Sequence, residues 1–289
     1  MNKTRLIATF ALFGVSGLRG ATSSANEDTC TPITTVPTTI SLPGTYCVTK
    51  DLSTPSTSGT AITVSSNDVT IDLGGHTLSN LAAGTGTQAF GIQGIAAGAN
   101  LQNITVRNGT VRGFYEGISL TGPTGSTTNS SGHLVENVRA DFNRFIGIQV
   151  LGAGSVVRQN QILHTGGEPG VSDNFGLQIA GNGAQALDNV VVDTVPALGG
   201  GTAVGIFAES NNDFTGLVIE GNRISNVTIG LNSFGILNSG HGFNTLVVNN
   251  RIADYAGGIY LYNTAKYRDN LAIGTSVAYT GGTDAGNNQ

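Results

Sequence analysis

The sequence predicts an all-β chain wound as a parallel β-solenoid of about seven to eight coils. Three observations carry that expectation. The phrase Gly-(Ile/Leu)-x-apolar opens at Gly117, Gly147, Gly176, Gly205 and Gly258, with Gly-Ile alone at Gly235 and a weaker start at Gly91. The successive glycines from Gly91 to Gly258 are 26, 30, 29, 29, 30 and 23 residues apart. A second phrase, a short apolar run reaching an asparagine, interleaves with it at Asn108, Asn137, Asn160, Asn189, Asn222 and Asn250. Within each unit, as in "LVIEGNRI" and "LVVNNRI", apolar and polar residues alternate with the period of strands, and no i, i+3, i+4 pattern is sustained. Units this short cannot bury an apolar face alone and must stack, so like residues come to lie one coil apart, about 4.8 Å.

Taken in chain order, residues 1–25 have the form of a secretory signal. Lys3 and Arg5 precede the 13-residue apolar run "LIATFALFGVSGL", and small residues lead to Ala25. That run is shorter than the about 20 residues a membrane span requires. The mature chain is therefore expected to be secreted, extracellular or on the cell surface, without membrane insertion, and to be monomeric. Residues 26–60 are expected to cap one end of the solenoid, residues 61–265 to form the coils, and residues 266–289 to cap the other end, since open ends expose unpaired strand edges. Cys30 and Cys47 are the only cysteines. In an exported chain so close a pair reads as one disulfide.

Charged residues make up 11% of the 289-residue chain, against about 25% in ordinary globular domains. Without Lys3, Arg5 and Arg19, 10 basic groups face 18 acidic ones. This balance argues against nucleic-acid binding, and an anionic ligand would have to be met by a local cluster of arginines. The asparagines have a structural role available, because Asn tolerates left-handed turns and stacked amides hydrogen-bond along such an axis.

The segment from Ile33 to Leu78, with its Pro43-Gly44-Thr45-Tyr46-Cys47 turn and its Asp72-Leu73-Gly74-Gly75-His76 turn, resembles the opening module of secreted bacterial proteins of the pectin-lyase-like superfamily. The repeats resemble the coils of the same right-handed parallel β-helix proteins, and "KYRDNLAIGTSVAYTGGTDAGNNQ" resembles their ending. The resemblance covers most of the mature chain. It implies a right-handed winding and an encounter with extracellular polysaccharide, either cleaving it as a hydrolase or lyase or serving as a non-catalytic surface scaffold. No catalytic set transfers. Gly240-His241-Gly242 matches a polygalacturonase triplet, but the Asn-Thr-Asp, paired-aspartate and Arg-Ile-Lys motifs are missing. A tryptophan-bearing pectate-lyase signature and the Asp-Pro-His-Glu motif of alginate epimerases are missing too.

Three groups of residues have suitable chemistry. With the asparagines aligned, the fourth residue after each forms the column Arg112, Asp141, His164, Asp193, Asn226, Asp254. Asp141 and Asp193 would then lie two coils apart, roughly 9–10 Å between backbones, within side-chain reach of the about 6.5–9.5 Å carboxyl separation of inverting glycosidases. His164 between them would share or tune a proton. The same column is equally what turn chemistry alone produces, because Asp and Asn side chains bond local backbone. The inserted loop "HTGGEPGVSDN", residues 164–174, offers Glu168 and Asp173 as cation ligands, at a spacing that fits no established metal motif. Arg139, Arg144 and Arg158 suit carboxylate recognition, and Tyr260 and Tyr262 would stack on sugar rings. For a lyase, the resemblance implies Ca²⁺ held by acidic residues to neutralise a uronate.

Overall fold

The computed structural model describes residues 30–95, 100–122, 130–167, 170, 173–197, 200–209, 214–227, 230, 232–240 and 244–289. The signal segment, Glu168 and His241 lie outside the described residues. The chain is a parallel β-helix: the described residues form 26 strands, all paired in parallel between successive coils, and one short 3-10 turn at Leu81–Ala83. Three sheets run the length of the stack.

The first sheet holds the Gly-Ile phrases. It begins at Thr38–Ile40 and Thr60–Val64, continues through Glu116–Leu120, Ile146–Leu151 and Asp173–Ala180, and closes with the first part of Val277–Asp284. The second starts at Thr31–Ile33 and Gly44–Val48. The third starts at Leu52–Ser53 and Thr77–Ser79 and ends at Leu271–Ile273. Two longer strands, Ile104–Arg112 and Leu134–Asp141, cross from the second sheet into the third. Both segments expected to cap the ends are themselves coiled. Thr31–Ile33 and Gly44–Val48 pair with each other, and Cys30–Cys47 ties them with a Cα–Cα distance of 5.7 Å. Among the described residues the first sheet holds ten strands that pair in succession.

The core explains the first phrase. Ile62, Ile92, Ile118, Ile148, Leu177, Ile206, Ile236 and Ile259 pair successively in register and all point inward, none more than 1% exposed. Each such side chain stabilises the fold by about 1.5–3 kcal/mol relative to exposure. From Ile92 to Ile259 a glycine precedes each of these residues and sits where the first sheet meets the third, whereas Ala61 holds that place before Ile62. A Cβ at Gly205 would lie 2.7 Å from the Gly235 carbonyl oxygen, and one at Gly176 2.6 Å from Val191 Cγ1. The phrase recurs because from Gly91 to Gly258 the facing chain leaves no room for a Cβ at that corner.

The second phrase resolves into two columns. Asn160, Asn189, Asn222, Asn250, Asn270 and Asn288 form a ladder in which each Nδ2 donates to the next Oδ1 at 2.9–3.1 Å. Each Oδ1 in the ladder also accepts the preceding asparagine's backbone N–H. Asn108 and Asn137 do not belong to it. Both occupy the left-handed residue one position earlier, at φ 60° and 53°, in register with Gln159 and Asp188. At the top of the ladder Val138 stands in the asparagine's place, and its N–H donates to Asn160 Oδ1 at 2.9 Å.

Candidate functional site

That one-residue difference moves Asp141. It pairs with Arg112 above and Leu163 below, while His164, Asp193 and Asp254 align with Phe142, all four in left-handed turns. The single acidic column expected from the sequence is therefore broken between Asp141 and His164. The physical reason is that the asparagines used to align the coils come from two different turn positions. Asp193 is engaged with backbone, its Oδ1 accepting the Val227 N–H at 3.1 Å.

The shift brings Asp141, His164 and Arg139 together on the outer face of the third sheet. Asp141 closes the strand Leu134–Asp141 and is 2% exposed although it points away from the core, because its neighbours cover it. Its Oδ1 lies 3.0 Å from His164 Nδ1, and its Oδ2 lies 3.1 Å from an Arg139 guanidinium nitrogen and 3.6 Å from one of Arg112. Phe142 stacks on the His164 ring, centroids 4.6 Å apart, and lies beneath the Arg112 guanidinium at 5.5 Å. With Nδ1 donating to Asp141, the neutral imidazole carries its lone pair at Nε2, the pattern that makes a histidine a base. Among the described residues no group hydrogen-bonds Nε2, and the ring is 42% exposed.

Arg139 joins this cluster to a groove of about 430 Å³ at the corner of the second and third sheets. Asn108, Asn137, Gln159 and Gln161 line it with amides. Gly75 leaves space there, with nothing within 4 Å of its Cβ position, and Gly109 lets the neighbouring coil pack closely, since a Cβ there would lie 2.7 Å from the His76 carbonyl oxygen. Charge is also segregated by sheet. The third sheet's strands carry Arg112, Arg139, Arg223 and Arg251 against the single acid Asp141. Arg223 and Arg251 align in register, as their common offset from asparagine predicts. Those of the first sheet carry Glu116 and Asp173 and no basic residue before Leu261.

Other expected site residues lie elsewhere. Arg144 sits in the turn after the third sheet and donates to the Gly167 carbonyl at 3.1 Å. Arg158 ends a strand of the second sheet and pairs with Glu136 at 2.6 Å. Tyr260 and Tyr262 are on the outer face of the first sheet near the last coils, rings 5.2 Å apart. Asp173 opens a strand of the first sheet in register with Thr202. Among the described residues no three His, Cys, Asp or Glu side chains gather as cation ligands.

Two carboxyls on the outer face of the first sheet, Glu116 buried and Glu209 half-buried, escaped the sequence reading. Glu116 is 7% exposed, and burial pushes its carboxyl up to about 7, opposed by its hydrogen bond with Ser119. Ser119 donates to Gln149, Gln149 to Gln178, and Gln178 to Glu209, whose carboxyl burial also raises. A signal for Glu116 was available. The residues before the recurring glycines read Phe90, Glu116, Ile146, Phe175, Val204, Phe234 and Gly257, so one acid stands in an apolar column.

No protein-family model and no curated protein matches the chain. Several solved structures resemble it in shape, among them these three. Pectate lyase Pel9A is 16% identical with a TM-score of 0.44, over 88% of this chain and 72% of that one. The tailspike gp49 of Acinetobacter baumannii bacteriophage Fri1, a capsular polysaccharide depolymerase, is 12% identical with a TM-score of 0.46, over 86% and 48%. The enzymatically active domain of bacteriophage CBA120 tailspike protein 2 is 11% identical with a TM-score of 0.44, over 87% of this chain and 41% of the tailspike. At these identities no residue role is carried across.

Proposed function

We propose that the chain meets an acidic polysaccharide outside the cell on the outer face of its third sheet, and that Asp141 and His164 cleave it there by β-elimination. The observation that carries this reading is the Asp141–His164 pair, its Nε2 open, set between two arginines beside the amide-lined groove. A uronate bound with its carboxylate toward Arg139 presents the acidic C–H beside that carboxylate to His164. Nε2 takes the proton, the C–O bond to the neighbouring sugar breaks, a double bond forms in the ring, and the leaving oxygen takes a proton from water. The arginines offset charge that builds on the carboxylate, for which a planar guanidinium is suited. Asp141 holds the ring and stabilises the imidazolium. No step is routed through Ca²⁺.

The test is a panel of polyuronates, scored by ultraviolet absorbance of unsaturated ends and by reducing ends. The parent chain generates both, and His164→Gln lowers the rate by roughly 10²–10⁴-fold, the usual contribution of a positioned base. Asp193→Asn leaves the rate unchanged. Reducing ends without absorbance, lost in Asp193→Asn, would instead support hydrolysis by Asp141 and Asp193. Binding without turnover would make the chain a non-catalytic scaffold, a reading favoured by one observation, that both Asp141 oxygens already have partners.

A further inference from the structure

We infer a second carbohydrate site, specific for an uncharged sugar, on the outer face of the first sheet near the last coils. In the outward column that runs through Phe175, Val204 and Phe234, the next coil presents Gly257 and the one after it Val277. A Cβ at Gly257 would lie 2.6 Å from Phe234 Cδ1, so the glycine lets the Phe234 ring lie over its backbone, and a notch of about 330 Å³ opens beside that ring toward Val277. Tyr260 walls it, edge to face with Phe234 at 5.6 Å, and Ser276 and Thr280 bring hydroxyls to its rim. Beyond the rim Tyr262, 44% exposed, extends the aromatic surface.

The chemistry of the lining selects the ligand. None of its eight residues is charged. With no basic strand residue on this sheet before Leu261, an anion finds nothing to neutralise it. A purely apolar guest would leave the hydroxyl rim without partners. A pyranose fits both halves, one face of C–H groups against the aromatic wall and hydroxyls toward Ser276 and Thr280. The volume sits at the low end of the about 300–1,000 Å³ of small-molecule sites, which suits a ring or two, not a long chain. The notch and the Asp141 cluster lie on different faces, so this inference does not rest on the proposed cleavage.

The experiment uses the whole mature chain and neutral hexose oligosaccharides, cellohexaose, mannohexaose and maltohexaose, as probes, followed by saturation-transfer NMR. Because the chain has no tryptophan, tyrosine fluorescence reports the same event directly. At least one probe binds the parent, and excess polygalacturonate does not displace it. Tyr260→Ala weakens binding about tenfold, the loss one stacked ring supports. Val277→Trp fills the notch from its exposed edge without touching the core, and abolishes binding at an unchanged melting temperature. The inference is overturned if no neutral probe binds, if Val277→Trp binds as the parent does, or if polygalacturonate competes.

Discussion

At the scale of single residues, burial gives two titrating groups opposite effects on stability. His133 is 1% exposed, its Nε2 2.6 Å from Ser130 Oγ and its Nδ1 accepting the Ile104 N–H, and burial lowers its pKa from 6.5 to about 4. Above pH 6.5 the ring is neutral whether folded or not. As pH falls from 6.5 toward 4 the unfolded chain takes a proton that the native chain refuses, so stability drops by up to about 3 kcal/mol. Glu116 runs the other way, its contribution complete below pH 4.5 and lost as pH rises through about 7. Across the shared window the two slopes offset each other. Glu116→Gln should therefore unmask the histidine, giving a chain whose denaturation free energy climbs from pH 4.5 to 6.5 more steeply than the parent's, as urea titrations at stepped pH would show. The residue types at the third-sheet cluster were legible, since Asp141, His164 and Arg139 all stand out in a weakly charged chain. Their contacts were not, because asparagine serves both the left-handed turn and the amide ladder, and a sequence does not distinguish the two uses.

At the scale of the repeating element, the ladder and the glycine corner make separate predictions. Asn222 donates to Ala186 O, Glu220 O and Asn250 Oδ1 and accepts from Asn189. Asn222→Ala strands those buried groups and should cost about 3 kcal/mol in chemical denaturation, several unmet hydrogen bonds at once. Gly205→Ala should cost about 1–3 kcal/mol, because the new methyl meets the Gly235 carbonyl and Ile224. Gly86→Ala, with nothing within 4 Å of its Cβ, is the control and should stay within about 0.5 kcal/mol of the parent. The glycine phrase was readable from sequence since one steric demand repeats seven times almost unchanged. The last two rungs, Asn270 and Asn288, were missed because the coils shorten to 20 and 18 residues between asparagines.

At the scale of the whole molecule, the parallel stack followed from the period alone, whereas the segregation of charge among the three sheets did not. Which side chains share an outer face depends on where each strand turns the corner, and strands such as Leu134–Asp141 cross that corner without a break. The disulfide fastens the first described coil, where Thr31–Ile33 has, among the described residues, a partner strand on one side only. Reducing Cys30–Cys47 should lower stability by about 3 kcal/mol on the loop-entropy account. Hydrogen exchange under reducing conditions should show the loss first in Thr31–Val48 and last in the middle coils, since each coil is held only by its neighbours.

The amide ladder also sets a unit of length. Asn222 and Asn250 are 28 residues apart and make the same bonds to the coil before and the coil after. Excising residues 222–249 as one piece would place Asn250 directly after Gly221, where Asn189 would find an identical amide. The product would be the same screw with one thread fewer. Excisions that miss this interval by one residue would reverse inward and outward faces at the join. The molecule can be lengthened or shortened, then, but only in whole turns.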